Sequence, residues 1–192
     1  MKSDSNRIAN VIVLTGLSGS GKSEVGRALG RKLNGDFTDL DKAIAAEMGM
    51  SIQKAFAEQG EHSFRIAESK ALKSLLVRPE SIHAPTRIIA LGGGALLRSA
   101  NVNLAMKHGV LIWLQVSCVE AAERLADKDD RPLTTGSQGN TLSRTALIAR
   151  LRKLLVDRNL GYAQADIRIK TTGKSVADVC NLIIRKMNLV TR

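Results

Sequence analysis

The chain has 192 residues, of which 44% are hydrophobic, and its 29 Lys and Arg against 18 Asp and Glu give a net charge of +11. This length predicts one domain over residues 1–192. No apolar run reaches the roughly 18 to 20 residues that cross a bilayer, and none resembles a secretory signal, so we expect a cytoplasmic protein without a membrane partner. The basic residues are scattered and only 3% of the chain is aromatic, which argues against nucleic acid as a partner. A basic surface also suits an enzyme whose ligands are all anions.

Strand-like and helical patterns alternate along the chain. Apolar runs predict strands at residues 11–15, 37–39, 87–91, 110–116 and 167–170. Five strands separated by helices predict an α/β protein, in which a parallel sheet lies between two layers of helices. Residues 127–145 are polar and long for a loop, which is typical of a mobile lid or of disorder.

A glycine-rich loop follows the first predicted strand. Residues 16–23, GLSGSGKS, match the pattern G-x-x-x-x-G-K-[ST] and precede an amphipathic helix over residues 24–33. Backbone N–H groups of such a loop cradle a β-phosphate, Lys22 reaches the β- and γ-phosphates, and the Ser23 hydroxyl ligates Mg²⁺. The predicted ATP-binding residues of this loop are Gly19, Ser20, Gly21, Lys22 and Ser23.

Two carboxylates follow the second predicted strand. Asp39 and Asp41 are two residues apart, so on a strand they face the same way, toward the cleft at the carboxyl edge of the sheet. One would face the Mg²⁺ shell and the other an acceptor hydroxyl. The alternative is that Asp41 only caps a helix starting near Lys42.

Two further motifs indicate an acceptor pocket. Residues 60–68 open a predicted helix that runs toward Leu76, and Arg65 and Glu68 share one face of it. This spacing predicts either an arginine fork for a substrate carboxylate or a surface ion pair. Leu91-Gly-Gly-Gly-Ala95 follows the third core strand and leaves backbone amides bare, either for a small polar ligand or as a simple turn.

The order of these pieces resembles the shikimate kinase family. The similarity runs from about Val11 to about Met187 through GLSGSGKS, F-x-D-x-D, G-x-S-I at residues 49–52, G-E-x-x-F-R-x-x-E, G-G-G and Arg131-Pro-Leu133. It implies a nucleoside-monophosphate-kinase-like P-loop fold with strand order 2-3-1-4-5, substrate-binding helices at about 41–78 and a lid at about 127–145. It also implies a Mg²⁺-dependent, monomeric enzyme of chorismate and aromatic amino acid biosynthesis, which moves the γ-phosphate of ATP to the 3-hydroxyl of shikimate.

The resemblance implies a role for each matching residue. Ser23 and Asp39 would hold Mg²⁺, while Lys22 and Arg131, the latter from the lid, would contact the ATP phosphates. Arg124 would cover the adenine. Asp41 would act on the acceptor hydroxyl, either as a base or by positioning it. The implied substrate-binding residues are Asp41, Arg65, Glu68, Gly93, Gly94 and Arg158.

Three departures from the family pattern stand out. Glu24 replaces the usual threonine, the usual R-x-P-L-Y reads Arg158-Asn-Leu-Gly-Tyr162 without its proline, and residues 78–86 and 134–144 are longer than usual. Two alternatives remain open at this point. One is another small-molecule kinase, such as a gluconate kinase, and the other is a nucleotide-switched module that binds nucleic acid.

Overall fold

A five-stranded parallel sheet forms the centre of the molecule. The computed structural model describes residues 11–77, 85–126 and 141–190, with side chains up to 187. The strands are β1 (Val11–Thr15), β2 (Asp36–Asp39), β3 (Arg87–Ala90), β4 (Val110–Gln115) and β5 (Ile167–Lys170). Their order is β2-β3-β1-β4-β5, as predicted, and strand ends differ from the prediction by a single residue at most.

Helices cover both faces of the sheet. They are α1 (Lys22–Lys32), α2 (Leu40–Met48), α3 (Ile52–Leu76), α4 (Ser99–His108), α5 (Cys118–Ala126), α6 (Arg144–Tyr162) and α7 (Val176–Val190), with a 3-10 turn at Ala95–Leu97. Helix α3 is kinked at Gly60, where φ is 78° and ψ is 164°. The helix predicted to open at Gly60 is therefore the second half of a longer, bent element.

Helix α6 begins inside the segment predicted as a lid, residues 127–145. The Ser143 hydroxyl accepts a hydrogen bond from the Ala146 N–H (3.2 Å) and caps α6, so Arg144 and Thr145 belong to that helix rather than to a loop. Residues 127–140 lie outside the described residues. The described chain also contains no helix that is long and apolar enough to cross a membrane.

Alternating side chains of β1 build the two halves of the core. Ile12 and Leu14 pack with residues of α1 and α7, whereas Val11 and Val13 pack with residues of α2, α3 and α4 on the opposite face. All of β1 is buried, which is typical of a central parallel strand covered by helices on both faces. This order places the segments that follow all five strands at one edge of the sheet, where ligands bind in such folds.

Candidate active site

The phosphate loop, residues 16–23, joins β1 to α1. Gly19 (φ 83°) and Gly21 (φ 89°) adopt left-handed conformations, and a Cβ on Gly19 would lie 2.7 Å from the Ala121 carbonyl oxygen. Helix α1 starts directly after Gly21, so its free N–H groups point toward the loop. Lys22 Nζ donates to the carbonyl oxygens of Gly16 (2.9 Å) and Leu17 (3.0 Å), which holds the ammonium over the loop.

The carboxyl end of β2 brings a carboxylate to the start of α1. The Ser23 hydroxyl donates to Asp39 Oδ2 at 2.6 Å. A hydroxyl beside a carboxylate fits Mg²⁺, which commonly takes one or two protein oxygens and completes its shell with phosphate oxygens and water. Among the residues that the structure describes, no group of three or more His, Cys, Asp or Glu side chains could hold a metal ion by itself.

The helix cap at this position is Asp39, not Asp41. Asp39 Oδ1 accepts from the Lys42 N–H (3.4 Å), and α2 begins at Leu40, two residues earlier than expected. The alternative in which Asp41 caps the helix is therefore wrong. Asp41 lies in the first turn of α2, and its carboxylate faces the glycine segment, residues 92–94.

Three charged side chains lie against the three glycines of this segment. A Cβ on Gly92 would lie 2.3 Å from Asp41 Oδ1, and one on Gly94 would lie 2.7 Å from Arg65 Nη2. A Cβ on Gly93 would lie 2.6 Å from Arg158 Nη1 and 3.9 Å from the Gly16 carbonyl oxygen of the phosphate loop. The glycines therefore let one carboxylate and two guanidinium groups converge beside the phosphate loop.

Arg65 is held by carboxylates and by aromatic rings. Its Nη1 donates to Glu68 Oε2 at 2.9 Å, and its Nη2 donates to Glu61 Oε1 at 3.1 Å. The guanidinium carbon lies 5.6 Å from the Phe56 ring centroid and 5.5 Å from that of Phe64. With only 16% of its side chain exposed, Arg65 is not part of an ordinary surface ion pair.

Glu68 is buried beneath this cluster, with 1% of its side chain exposed. Burial raises the pKa of the Glu68 carboxyl, and Asp41 raises it further, while Arg65 and Arg158 oppose the shift. The net direction is upward because removal of the carboxylate from water outweighs its pairing with Arg65. Glu68 thus lies within electrostatic reach of all three charged groups at the glycine segment.

A cleft lies against the phosphate loop, and the residues that line it differ from those at the glycine segment. It has a volume of about 430 Å³ and is walled by the loop, by α5 and by the segment after β5. Arg124 of α5 links the other two walls of the cleft, because its Nη1 donates to the Gly19 carbonyl (3.1 Å) and its Nη2 donates to the Thr171 carbonyl (3.3 Å). Glu120 accepts from Arg124 and from the Gly173 N–H (3.0 Å), which ties the two walls together.

The sequence prediction missed the segment after β5 and missed Tyr162. Thr171, Lys174, Ser175 and Val176 line the cleft, and the signal was their position directly after the last strand, at the ligand-binding edge. The Tyr162 hydroxyl donates to the Gly93 carbonyl at 2.6 Å, a contact that no local pattern announces. Of the predicted site residues, Arg131 lies outside the described residues, and the others take the positions given above.

The fold and the site define a P-loop kinase that phosphorylates a small molecule. A family model described as shikimate kinase matches residues 18–188, and the chain belongs to the shikimate kinase family. As a member of that family it is an ATP-dependent kinase, which confirms the activity expected from the motifs.

Individual relatives agree along nearly the whole chain. A shikimate kinase of Chlorobium chlorochromatii (strain CaD3) is 37% identical over 183 residues, which cover 95% of this chain and 93% of the relative. The solved structure of shikimate kinase from Acinetobacter baumannii in complex with shikimate superposes with a TM-score of 0.81 at 26% identity, covering 97% of each chain. That of shikimate kinase from Bacteroides thetaiotaomicron gives a TM-score of 0.82 at 26% identity, covering 93% of this chain and 98% of the other.

Proposed function

We propose that the protein transfers the γ-phosphate of ATP to the 3-hydroxyl of shikimate, giving shikimate 3-phosphate and ADP. One observation carries the assignment: Asp41, Arg158 and Arg65 lie against three successive glycines, beside the phosphate loop. The two guanidinium groups match an acid, the carboxylate matches hydroxyl groups, and the glycines leave room for a flat ring against the backbone.

The donor side binds Mg²⁺ and ATP. Ser23 and Asp39 would hold the ion, which neutralises charge on the phosphates when bound. The N–H groups of the loop from Gly19 to Ser23, including that of Ser20, cradle the β-phosphate. Lys22, together with Arg131 from the lid, places positive charge around the transferring group, and Arg124 covers the adenine in the cleft beside Thr171.

The acceptor side binds shikimate at the glycine segment. Arg65 and Arg158 hold its carboxylate, Glu68 orients Arg65, and Gly93 and Gly94 lie against the ring. Asp41 binds the acceptor hydroxyl. This arrangement aligns the hydroxyl oxygen with the γ-phosphorus, and alignment together with positive charge is most of what phosphoryl transfer requires.

The kinase acts, in our proposal, as a cytoplasmic monomer with a single domain and without nucleic-acid or membrane partners. Its family membership favours shikimate over the gluconate kinase alternative. A nucleic-acid module would bind DNA or RNA with an affinity that falls steeply as salt rises, whereas we expect no such binding. Gel filtration tests the monomer directly.

The test of this function is the Asp41→Asn variant, with Asp36→Asn as its control. Asp36 is exposed at the start of β2 and lies outside the site. We expect Asp41→Asn to lower kcat by at least about a hundredfold, the scale of a lost acid–base or positioning carboxylate, and Asp36→Asn to leave it unchanged. ³¹P NMR of the wild-type product should show phosphate on the 3-hydroxyl. Full activity of Asp41→Asn, or phosphate at another position, would contradict the assignment.

A further inference from the structure

Helix α6 continues through the place where the family pattern has a proline. It runs from Arg144 to Tyr162, and the Ala163 N–H still donates to the Asn159 carbonyl at 2.8 Å. A proline at Leu160 would remove a backbone donor and crowd the preceding turn. In this chain the final turn therefore keeps its helical geometry as far as Tyr162, beside the glycine segment.

Gly161 sets the distance of this turn from the glycine segment. A Cβ at this position would lie 2.3 Å from the Leu96 carbonyl oxygen and 2.9 Å from the Leu96 Cβ. Leu96 belongs to the 3-10 turn Ala95–Leu97, which directly follows the glycine segment. Any larger residue at position 161 would push α6 away from this turn, and Arg158 would move with it.

Tyr162, the next residue, fastens the same turn of helix to the glycine segment. It is fully buried, its hydroxyl donates to the Gly93 carbonyl at 2.6 Å, and its ring lies 5.6 Å from that of Trp113. Arg158, one turn earlier in α6, also lies against Gly93 through its Nη1. Burial raises the pKa of the Tyr162 phenol although Arg158 opposes the shift, so the hydroxyl keeps the proton that it donates.

We propose that Gly161 and Tyr162 are positioning residues that hold Arg158 over Gly93 for capture of the substrate carboxylate. The inference rests on the proposed function, because it takes Arg158 to be a carboxylate ligand. Gly161 sets how closely α6 approaches, and Tyr162 fastens the helical turn that carries Arg158 through its hydrogen bond to the Gly93 carbonyl.

Tyr162→Phe is the first test, since it removes only the hydroxyl and keeps the buried ring. We expect the KM for shikimate to rise about threefold to tenfold, the scale of one lost hydrogen bond, while the KM for ATP stays unchanged. Isothermal titration calorimetry with shikimate reports its affinity without turnover. A loss of folded protein alone would lower the apparent kcat and leave the KM for shikimate as it was.

Gly161→Ala is the second test, with Leu160→Ala as its control. Leu160 is the neighbouring residue of the same helix and is 82% exposed. Alanine favours a helix over glycine, so without the contact to Leu96 the Gly161→Ala variant would be at least as stable as the wild type and kinetically the same. We expect instead a rise of about tenfold or more in the KM for shikimate, because the arginine is misplaced, and no change for Leu160→Ala.

Arg158→Lys separates the inference from the function beneath it. If Arg158→Lys raises the KM for shikimate but Tyr162→Phe and Gly161→Ala do not, the positioning role is overturned and the proposed function stands. If Arg158→Lys leaves the KM for shikimate unchanged, Arg158 is not a carboxylate ligand. The positioning role of Gly161 and Tyr162 and the assignment of Arg158 in the proposed function are then both wrong. A raised KM for shikimate in all three variants, with the KM for ATP unchanged, is the result that we expect.

Discussion

Replacing Arg65 by lysine removes the planar guanidinium group but keeps the positive charge. Lysine can still pair with buried Glu68, so the variant avoids the orphaned carboxylate that Arg65→Ala would leave. It loses the planar donors that lie against Gly94 and the cation–π contacts of the guanidinium with the Phe56 and Phe64 rings. The change thus tests capture of the substrate carboxylate and not merely the presence of positive charge.

The size of the effect follows from the contact that is lost. One hydrogen bond between charged groups contributes about 2 kcal/mol, which corresponds to about a thirtyfold fall in kcat/KM for shikimate. ADP release is measured with shikimate varied at saturating ATP, and then with ATP varied at saturating shikimate. We expect the KM for ATP to stay the same in Arg65→Lys. Arg31→Lys is the matched control, because Arg31 is exposed in the last turn of α1.

The methyl ester of shikimate tests the same contact from the substrate side. The ester lacks the negative charge, so the wild type should use it poorly, and Arg65→Lys should add little further loss because the partner of the fork is already gone. An unchanged kcat/KM for shikimate in Arg65→Lys would refute the reasoning. So would an equal loss with the acid and with the ester.

Three further changes test other parts of the site. Lys22→Ala should lower kcat at least about a thousandfold through lost transition-state charge, while shikimate affinity measured by calorimetry stays unchanged. Glu24→Thr should lower the KM for ATP about threefold, because a carboxylate in the nucleotide cleft gives way to a hydroxyl donor. The free energy of unfolding of the wild type should contain a contribution from Glu68. This contribution should fall as pH rises from the ordinary carboxyl pKa through the raised pKa of Glu68, because in that range the folded state binds more protons than the unfolded state. Urea unfolding at a series of pH values should show that Glu68→Gln lacks this contribution.

Each of these expectations has a clear contrary result. Turnover by Lys22→Ala near the wild-type rate would show that Lys22 does not stabilise the transition state. An unchanged KM for ATP in Glu24→Thr would show that Glu24 does not affect nucleotide binding. Glu58→Gln, which alters only a surface pair with Lys54, is the control for Glu68→Gln, and equal pH profiles for both variants would contradict the role of burial.

The sequence predicted those features that local patterns determine. The glycine-rich loop, the apolar runs and the spacing of Arg65 and Glu68 each lie within a few residues of chain, so the motif and the element around it could be recognised together. The strand order came from the family resemblance rather than from the strands themselves. The structure has the strand order that the resemblance implies, and Arg65 and Glu68 contact each other on α3 as their spacing predicts.

Features that depend on distant contacts or on where a helix begins were not predictable in the same way. Asp39 caps α2 because the helix starts at Leu40, and a shift of two residues transferred the cap from one aspartate to the other. Tyr162 reaches Gly93 across 69 residues of sequence. The segment after β5 reaches the nucleotide cleft only because β5 pairs with β4 in the sheet.

The most direct measurement is ADP release from Mg·ATP by the purified protein with shikimate, gluconate, a nucleoside monophosphate or no acceptor. Turnover with shikimate alone is the result that we predict, because it requires both the phosphate loop and the charged groups at the glycine segment. ADP release with another acceptor but not with shikimate would leave the fold and the phosphate loop in place and would contradict the assignment of the acceptor pocket.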